Sequence, residues 1–352
     1  MDFTATEAQS ELARLVGDIV AKLVTPQRQR ELDAQALRGT ETTTATARFD
    51  EPLWRALADA GVLSIDDGFG ALEQSTVLAE LGRALAAVPY LTSIVVSASG
   101  LAAFGHSDWA QRAARGEVIL TAALVDDVEA PVTADGGVLT GTKLTVPYAA
   151  QAARLLVPAE GNVYLVDPAD PGVRITPQQV VDFSPEATVE LSGARGELVG
   201  GADLAEWLVC RATLGYAALQ SGVLAQALDL AAAYGRERVQ FERPIGSFQA
   251  VAQRLADAYI DVKGVRLSVQ QAAWRLDAGL PADAEVATAK FWAADAGHRV
   301  AHTVIHVHGG VGLDTDHPVH RYFLAAKHHE FALGGATEHL RRLGALLADA
   351  PA

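Results

Sequence analysis

Two stretches of this sequence gather residue types that bind anions. The first is Arg238-Val-Gln-Phe-Glu-Arg-Pro-Ile-Gly-Ser-Phe-Gln249. Arginine offers a planar fork of donors that matches a phosphate or carboxylate. Gln249 carries both a donor and an acceptor. Pro244 and Gly246 interrupt a helix there, and Ser247 is placed to cap the next one. Such a stretch is also what an ordinary helix–helix connection with surface arginines looks like. The second is His306-Val-His-Gly-Gly-Val-Gly312. Consecutive glycines let backbone N–H groups approach an anion closely. The same residues also make a plain helix C-cap.

Histidines and carboxylates are the other chemical resource. Nine of the ten histidines lie between 298 and 339, and His298, His302 and His306 are four apart. One helix face so built can ligate a metal, but no carboxylate completes a metalloprotease or di-iron pattern. A polar bundle or interface face is the better reading, and no metal is expected. Phe331-Ala-Leu-Gly-Gly-Ala-Thr-Glu338 is a glycine break between two helices, with Thr337 or a neighbour as cap.

Composition narrows the function classes. The 352 residues include 28 Lys and Arg against 43 Asp and Glu, a net charge of −15. A field of that sign opposes nucleic acids and anionic membrane surfaces. A single cysteine, Cys210, excludes a disulfide framework and cysteine-ligated metals. Met1-Asp2-Phe3-Thr4 has neither a basic region nor an apolar core. The longest apolar stretch noted, Ser93 to Gly105, falls well short of the roughly 20 residues a membrane span needs. The expectation is a cytoplasmic protein without membrane or nucleic-acid partners.

The elements that must position these residues fall into three blocks. Residues 1–117 read as helices, with apolar residues of Glu7–Leu23 at helical spacing and a helix start at Asp50-Glu51-Pro52. A further helix covers Leu72–Ala87, stopped by Pro89. Residues 118–201 alternate short apolar runs (Val118–Leu124, Val138–Leu144, Arg154–Val157, Val163–Val166, Thr188–Leu191) with Gly/Asp/Pro turns, the pattern of an antiparallel β-domain. Residues 202–352 return to long helices, Leu204–Tyr234, Phe248–Ala278 and Ala284–Val307, then Pro318–Phe331 and Thr337–Ala348. Long helices with short turns make a bundle. Gly309–Gly312 follows a helix and not a strand, so it is no dinucleotide fingerprint. The fold class is α+β, mostly α.

Together these segments resemble the acyl-CoA dehydrogenase family over essentially the whole chain. Arg238–Gln249 is similar to that family's Arg-x-x-Phe-Gly-Arg-Pro-Ile-Gly-x-Phe-Gln. Ile305–Gly312, followed by Tyr322 and Lys327, resembles its second flavin motif, Gln-x-x-Gly-Gly-x-Gly. The resemblance implies a helical domain, a middle antiparallel β-domain and a C-terminal four-helix bundle. It also implies FAD as cofactor, with one subunit holding the flavin ring and its neighbour lending contacts to the ADP half. Carried over, those contacts are Arg238, Phe241, Gln249, His306 (where the family has Gln), Gly309 and Gly310. Glu242 stands where the family has Gly.

Other family features are absent from the sequence. The family's reaction is α,β-dehydrogenation of an acyl-CoA thioester, in which a carboxylate removes the α-proton. Aligned on Thr337 and Arg342, the usual base position is Gly335, preceded by Gly334. A second subset puts the base at the start of the first bundle helix, where this chain reads Arg211-Ala212-Thr213. The family's Lys-x-Trp-Ile-Thr-Asn segment aligns with Lys143-Leu-Thr-Val-Pro-Tyr148, so Thr145 and Pro147 replace the ring-contacting Trp and Thr. The flavin loop after Leu124 reads Val125-Asp-Asp-Val-Glu129. These losses resemble the base-lacking subunit of bacterial α2β2 steroid side-chain acyl-CoA dehydrogenases, especially those of cholesterol degradation. The segments Ala294–His302 and His308–Thr337 add to that likeness.

The resemblance then implies no catalytic residue in this chain and shared FAD. It implies a homologous catalytic partner that binds most of the acyl-CoA, and an electron-transfer flavoprotein as acceptor. Two alternatives stand: a homomeric enzyme whose base is relocated to Glu330 or Glu338, and a flavin-free scaffold subunit.

Overall fold

The structure, a computed structural model, describes residues 3–39, 48–66 and 68–348; Met1 and Asp2 of the N-terminal reading lie outside these. The order helical, β, helical holds. Helices α1 (Glu7–Leu23), α2 (Pro26–Gly39), α3 (Glu51–Asp59), α4 (Ala71–Ala84), α5 (Ser99–Ala103) and α6 (Ser107–Ala114) precede strands β1 (Leu120–Ala122) to β8 (Glu186–Gly200). Then come α7 (Ala202–Glu237), a short hairpin of β9 (Val239–Gln240) and β10 (Arg243–Pro244), α8 (Gln249–Asp277), α9 (Asp283–His308), α10 (Val319–Phe331) and α11 (Ala336–Ala348). By tertiary contacts the chain forms two compact units. One comprises Met1–Ala21, Gly70–Ala86 and Thr213–Ala352; the other comprises Lys22–Phe69 and Ala87–Ala212.

The second unit carries the sheet. Within it β4 (Val138–Pro147), β5 (Arg154–Ala159), β6 (Asn162–Val166) and β8 run in the order β1-β5-β6-β8-β4-β2, with β2 spanning Val125–Asp126. Its core is aliphatic, from Leu139, Val146, Leu155, Val157, Val166 and Val189. One pair departs from the expected antiparallel pattern: β1 lies parallel to β5, Leu120 opposite Arg154. This leaves β1 as an edge, and edges need their N–H groups covered. A π-helical segment, Tyr90–Ala98, does so. Ser93 Oγ accepts the Leu120 N–H at 3.1 Å and Thr92 Oγ1 accepts that of Ala122 at 3.3 Å. The wider turn of a π-helix sets two successive hydroxyls against one strand. Asp50, expected as a cap for α3, makes no cap bond; its carboxylate pairs with Arg28 at 3.1 Å instead.

The first unit packs α4 and α7–α11. Helix α7 has 36 residues, about 54 Å at 1.5 Å per residue. By length and composition it is able to cross a bilayer, and Leu214, Ala217, Val223, Leu224 and Ala231 on it are buried. Helix α4 meets α7 at backbone distance. A Cβ on Gly82 would lie 2.2 Å from the Leu219 carbonyl oxygen, and one on Gly222 would lie 1.9 Å from that of Ala79. Helix α4 is capped from elsewhere: the Asp277 carboxylate, at the end of α8, accepts the N–H groups of Ala71 and Leu72 at 2.6 and 2.9 Å. That satisfies two of the four open donors of the helix start with a negative charge at its positive end.

Asp277→Ala removes this cap. It is expected to lower stability by about 1–2 kcal/mol, with faster hydrogen exchange at the Ala71 and Leu72 amides; Asp277→Asn, which keeps an acceptor, should lose less.

Candidate functional site

The Arg238 stretch is a tight corner on the end of α7. The Arg238 N–H donates to the Tyr234 carbonyl at 2.8 Å, and the Ile245 N–H donates to the Arg238 carbonyl at 2.8 Å. Between them β9 and β10 pair antiparallel, Gln240 opposite Arg243. Phe241 and Glu242 form the two-residue turn with φ of 53° and 66°. Left-handed φ at both central positions defines a type I′ turn, which favours Asn and Gly. Side chains there cost on the order of 1 kcal/mol each. The corner folds back onto α7 so closely that a Cβ on Gly246 would lie 2.9 Å from the Gly235 carbonyl oxygen. Ser247 does not cap α8; its hydroxyl donates to the Pro244 carbonyl at 2.7 Å, and Phe248 holds the cap position.

The side chains divide into committed and free. Arg243 lies 4.1 Å over the Phe248 ring, and Phe241 meets the same ring edge-on at 6.1 Å. Phe241 is nonetheless 85% exposed. Arg238 and Gln249, the first residue of α8, are both exposed. Among the described residues neither side chain has a hydrogen bond or ion pair.

The second stretch closes α9. Gly309 adopts φ 62° and its N–H returns to the carbonyls of His306 and Ile305. His306, Gly309 and Gly310 are exposed. A Cβ on Gly309 or Gly310 would meet nothing within 4 Å, so both glycines open onto free space. His308, by contrast, is 4% exposed. Its Nδ1 bonds the Val304 carbonyl at 2.8 Å, and its ring stacks on Tyr234 with centroids 4.5 Å apart and planes 23° off parallel. Burial pushes its pKa down. The two candidate stretches are therefore neighbours, joined through this pair of rings.

The position of the family's base is a glycine turn pinned from inside. Gly334 has φ 100°. Lys290, on α9, is completely buried and donates to the carbonyls of Gly334, His329 and Glu330 at 2.9, 3.0 and 3.2 Å. It thus caps the end of α10 with a cation. Burial lowers its pKa to about 8, against the pull of Glu330 and Glu338. Glu330 is held by Lys327 at 2.6 Å and by His298 at 3.2 Å. Glu338 folds back on the turn, with a carboxylate oxygen 2.7 Å from where a Gly334 Cβ would sit. The His298 and His302 rings lie beside this cluster with centroids 4.5 Å apart and planes tilted by 43°. Arg211 lies over Trp207 at 5.3 Å.

In the other unit, the segment aligned with the family's flavin loop is zipped onto β4. Val125 pairs with Leu144 and Asp126 with Lys143. Lys143 is fully buried, and its ammonium reaches Asp126 at 2.8 Å. Thr145 is a bulge at φ 48° whose N–H donates to Gln178.

Tyr234, His308, Lys290 and the Lys143–Asp126 pair were not singled out by sequence. For Lys290 a signal existed: it shares α9 with Ala287, Ala289, Ala293 and Ala294, all buried, so a lysine there faces inward. Its charge has a testable consequence. The unfolded chain, with an ordinary lysine pKa of 10.5, binds more protons than the folded one between about pH 8 and 10.5. Stability contributed by this group therefore rises with pH across that window. Lys290→Met should abolish the rise, read from urea midpoints at pH 7.5 to 10.

Comparison with known proteins is consistent with this geometry. Residues 200–346 match the family described as acyl-CoA dehydrogenase, C-terminal domain. The chain is 51% identical, over all of both sequences, to the acyl-CoA dehydrogenase FadE27 of Mycobacterium tuberculosis. It superposes on a chain of the ChsE4-ChsE5 complex from the same organism with a TM-score of 0.93, 52% identity and complete coverage of both. It matches a chain of the Tcur3481-Tcur3483 steroid ACAD with a TM-score of 0.88 and 35% identity over 97% of this chain and 98% of that one. With its fold and full-length relatives in agreement, this chain belongs to the acyl-CoA dehydrogenase family.

Proposed function

We propose that this chain is the non-catalytic subunit of a heteromeric, FAD-dependent acyl-CoA dehydrogenase acting on a steroid side-chain CoA thioester in the cytoplasm. The observation that carries the proposal is the state of the cofactor residues. Arg238, Gln249 and His306 are exposed with free side chains, on open corners beside bare glycines. Groups so placed fit a ligand that is held mainly by another surface. A guanidinium and a glutamine suit the pyrophosphate and adenosine half of a flavin dinucleotide, and Phe241 offers an apolar face. The residues present fit FAD in that shared sense.

Two further features support the division of labour. Gly334–Gly335 carries no acid–base group where a carboxylate is needed to take the α-proton. The Val125–Asp126 segment is occupied by its own ladder and by the buried Lys143 pair. The partner would supply the base and most of the acyl-CoA site. Bound flavin would accept the β-hydrogen as hydride and pass electrons to an electron-transfer flavoprotein. The ChsE4-ChsE5 structure is itself a complex, which supports a heteromeric assembly, here taken as α2β2.

Two experiments test this. Flavin absorbance should appear when the chain is co-expressed with its partner and not in the chain purified alone. In the complex, Arg238→Ala should weaken FAD binding about 10- to 100-fold, the loss of a charge-assisted contact of roughly 1.5–3 kcal/mol. Unchanged FAD affinity would refute the role given to Arg238.

A second reading has one observation in its favour, the Glu338 carboxylate lying against the Gly334 turn. As a homomeric enzyme with Glu338 as base, the chain alone would be yellow and active, and Glu338→Gln would abolish turnover. Glu330 fits less well, because Lys327 and His298 already hold it.

A further inference from the structure

We propose that Tyr234 and His308 are positioning residues of the shared cofactor site: their ring stack fixes the spacing between the Arg238 hairpin and the Gly309–Gly310 turn. The inference rests on the cofactor reading above and adds residues that make no contact with the cofactor themselves.

Each ring is tied to one of the two stretches. Tyr234 lies one helical turn before Arg238 and accepts its backbone N–H at 2.8 Å. A displacement of Tyr234 therefore moves the start of the hairpin. His308 is the last residue of α9 and the direct neighbour of Gly309, so its ring position fixes where the glycine turn begins. The two helix ends come from different parts of the chain, and a dinucleotide gripped by both needs them at a set distance.

The stack is built to be rigid. The His308 Nδ1–H donates to the Val304 carbonyl, which fixes the tautomer and leaves Nε2 as the lone-pair nitrogen. That Nε2 is buried without a hydrogen-bond partner, so the ring is not held in place by a second polar contact. What faces it is aromatic: Tyr234 at 4.5 Å and nearly parallel, His317 at 5.1 Å and inclined by 60°. Burial favours the neutral ring. Near-parallel packing of a neutral imidazole on a phenol ring resists sliding and tilting. The strained Phe241–Glu242 turn is exposed, and its one ring contact, Phe241 edge-on to Phe248, stays within the corner itself.

The test uses the assembled complex with its partner subunit. Tyr234→Phe keeps the ring; Tyr234→Leu keeps an apolar, helix-favouring side chain but removes the π face; His308→Gln removes the imidazole. FAD affinity is measured by flavin release, with native mass as the control for assembly. The expected result is wild-type affinity for Tyr234→Phe and roughly 3- to 10-fold weaker FAD for Tyr234→Leu and His308→Gln, at unchanged mass. In an Arg238→Ala background, Tyr234→Leu should cost less than it does alone, because much of its effect acts through Arg238. Hydrogen exchange should quicken in both 238–246 and 306–313 for Tyr234→Leu.

Multiplicative losses in the double variant, or quickened exchange in one segment only, would overturn the positioning role. So would Tyr234→Leu with normal FAD affinity when Arg238→Ala weakens it. Arg238→Ala with unchanged affinity would overturn the cofactor reading itself, and with it this use of the stack.

Discussion

Helices α4 and α7 touch backbone to backbone, and much of the first unit follows from that contact. Gly82 and Gly222 face carbonyl oxygens of the opposite helix at distances no Cβ tolerates. Both helices are then held at a single separation. Helix α4 is fixed further by the Asp277 carboxylate at its start and by the Tyr322 hydroxyl, which donates to the Arg83 carbonyl at 2.7 Å near its end. Helix α7, so anchored in its middle, projects Tyr234 and Arg238 from its end in a defined direction. The hairpin then turns back onto Gly235 through Gly246, which starts α8 beside α7. Under the proposed function, the contact assigned to Arg238 is thus placed by close packing about four to five helical turns away.

Among the described residues two lysines, Lys290 and Lys143, are fully buried, and each is held by groups of this chain. Lys290 ends α10 and holds the Gly334 turn by three carbonyls. Lys143 closes the Val125–Asp126 segment onto the sheet. A buried ammonium is expensive unless its donors are used. In each case the cation is spent on backbone carbonyls or on one carboxylate. Under the proposed function this is consistent with a chain that has given up a ring site and a base while keeping an outward-facing grip.

Much of the fold was legible because helical periodicity and turn residues are local signals. Helix α1 has the bounds its apolar spacing predicts, and the strand blocks of the middle segment are present. What escaped was non-local. The parallel pairing of β1 with β5, the π-helical cover on β1 and the Asp277 cap all join residues distant in sequence. Caps assigned from adjacent residues failed where other partners competed: Asp50 went to the distant Arg28, and Ser247 to the Pro244 carbonyl three residues back. The three histidines read as one helical face, His298, His302 and His306, serve two environments, and the neighbouring His308 a third. His298 and His302 join the Glu330 cluster, His306 is exposed, and His308 is buried on Tyr234. Spacing finds a face but not what covers it.

Electrostatics explains why the candidate site must be so local. The chain carries a net charge of −15, and a flavin dinucleotide is anionic, so the mean field opposes binding. At physiological salt that field is screened beyond about 8 Å, which leaves the groups at the corner itself to decide. There Arg238 is free, Arg243 is held over Phe248, and Glu242 adds a negative charge in the turn. An exposed arginine beside a carboxylate is a weak anion site by itself. Backbone donors at bare glycines and a second protein surface are what make such a corner useful. The arrangement favours a grip that completes a site over one that creates it.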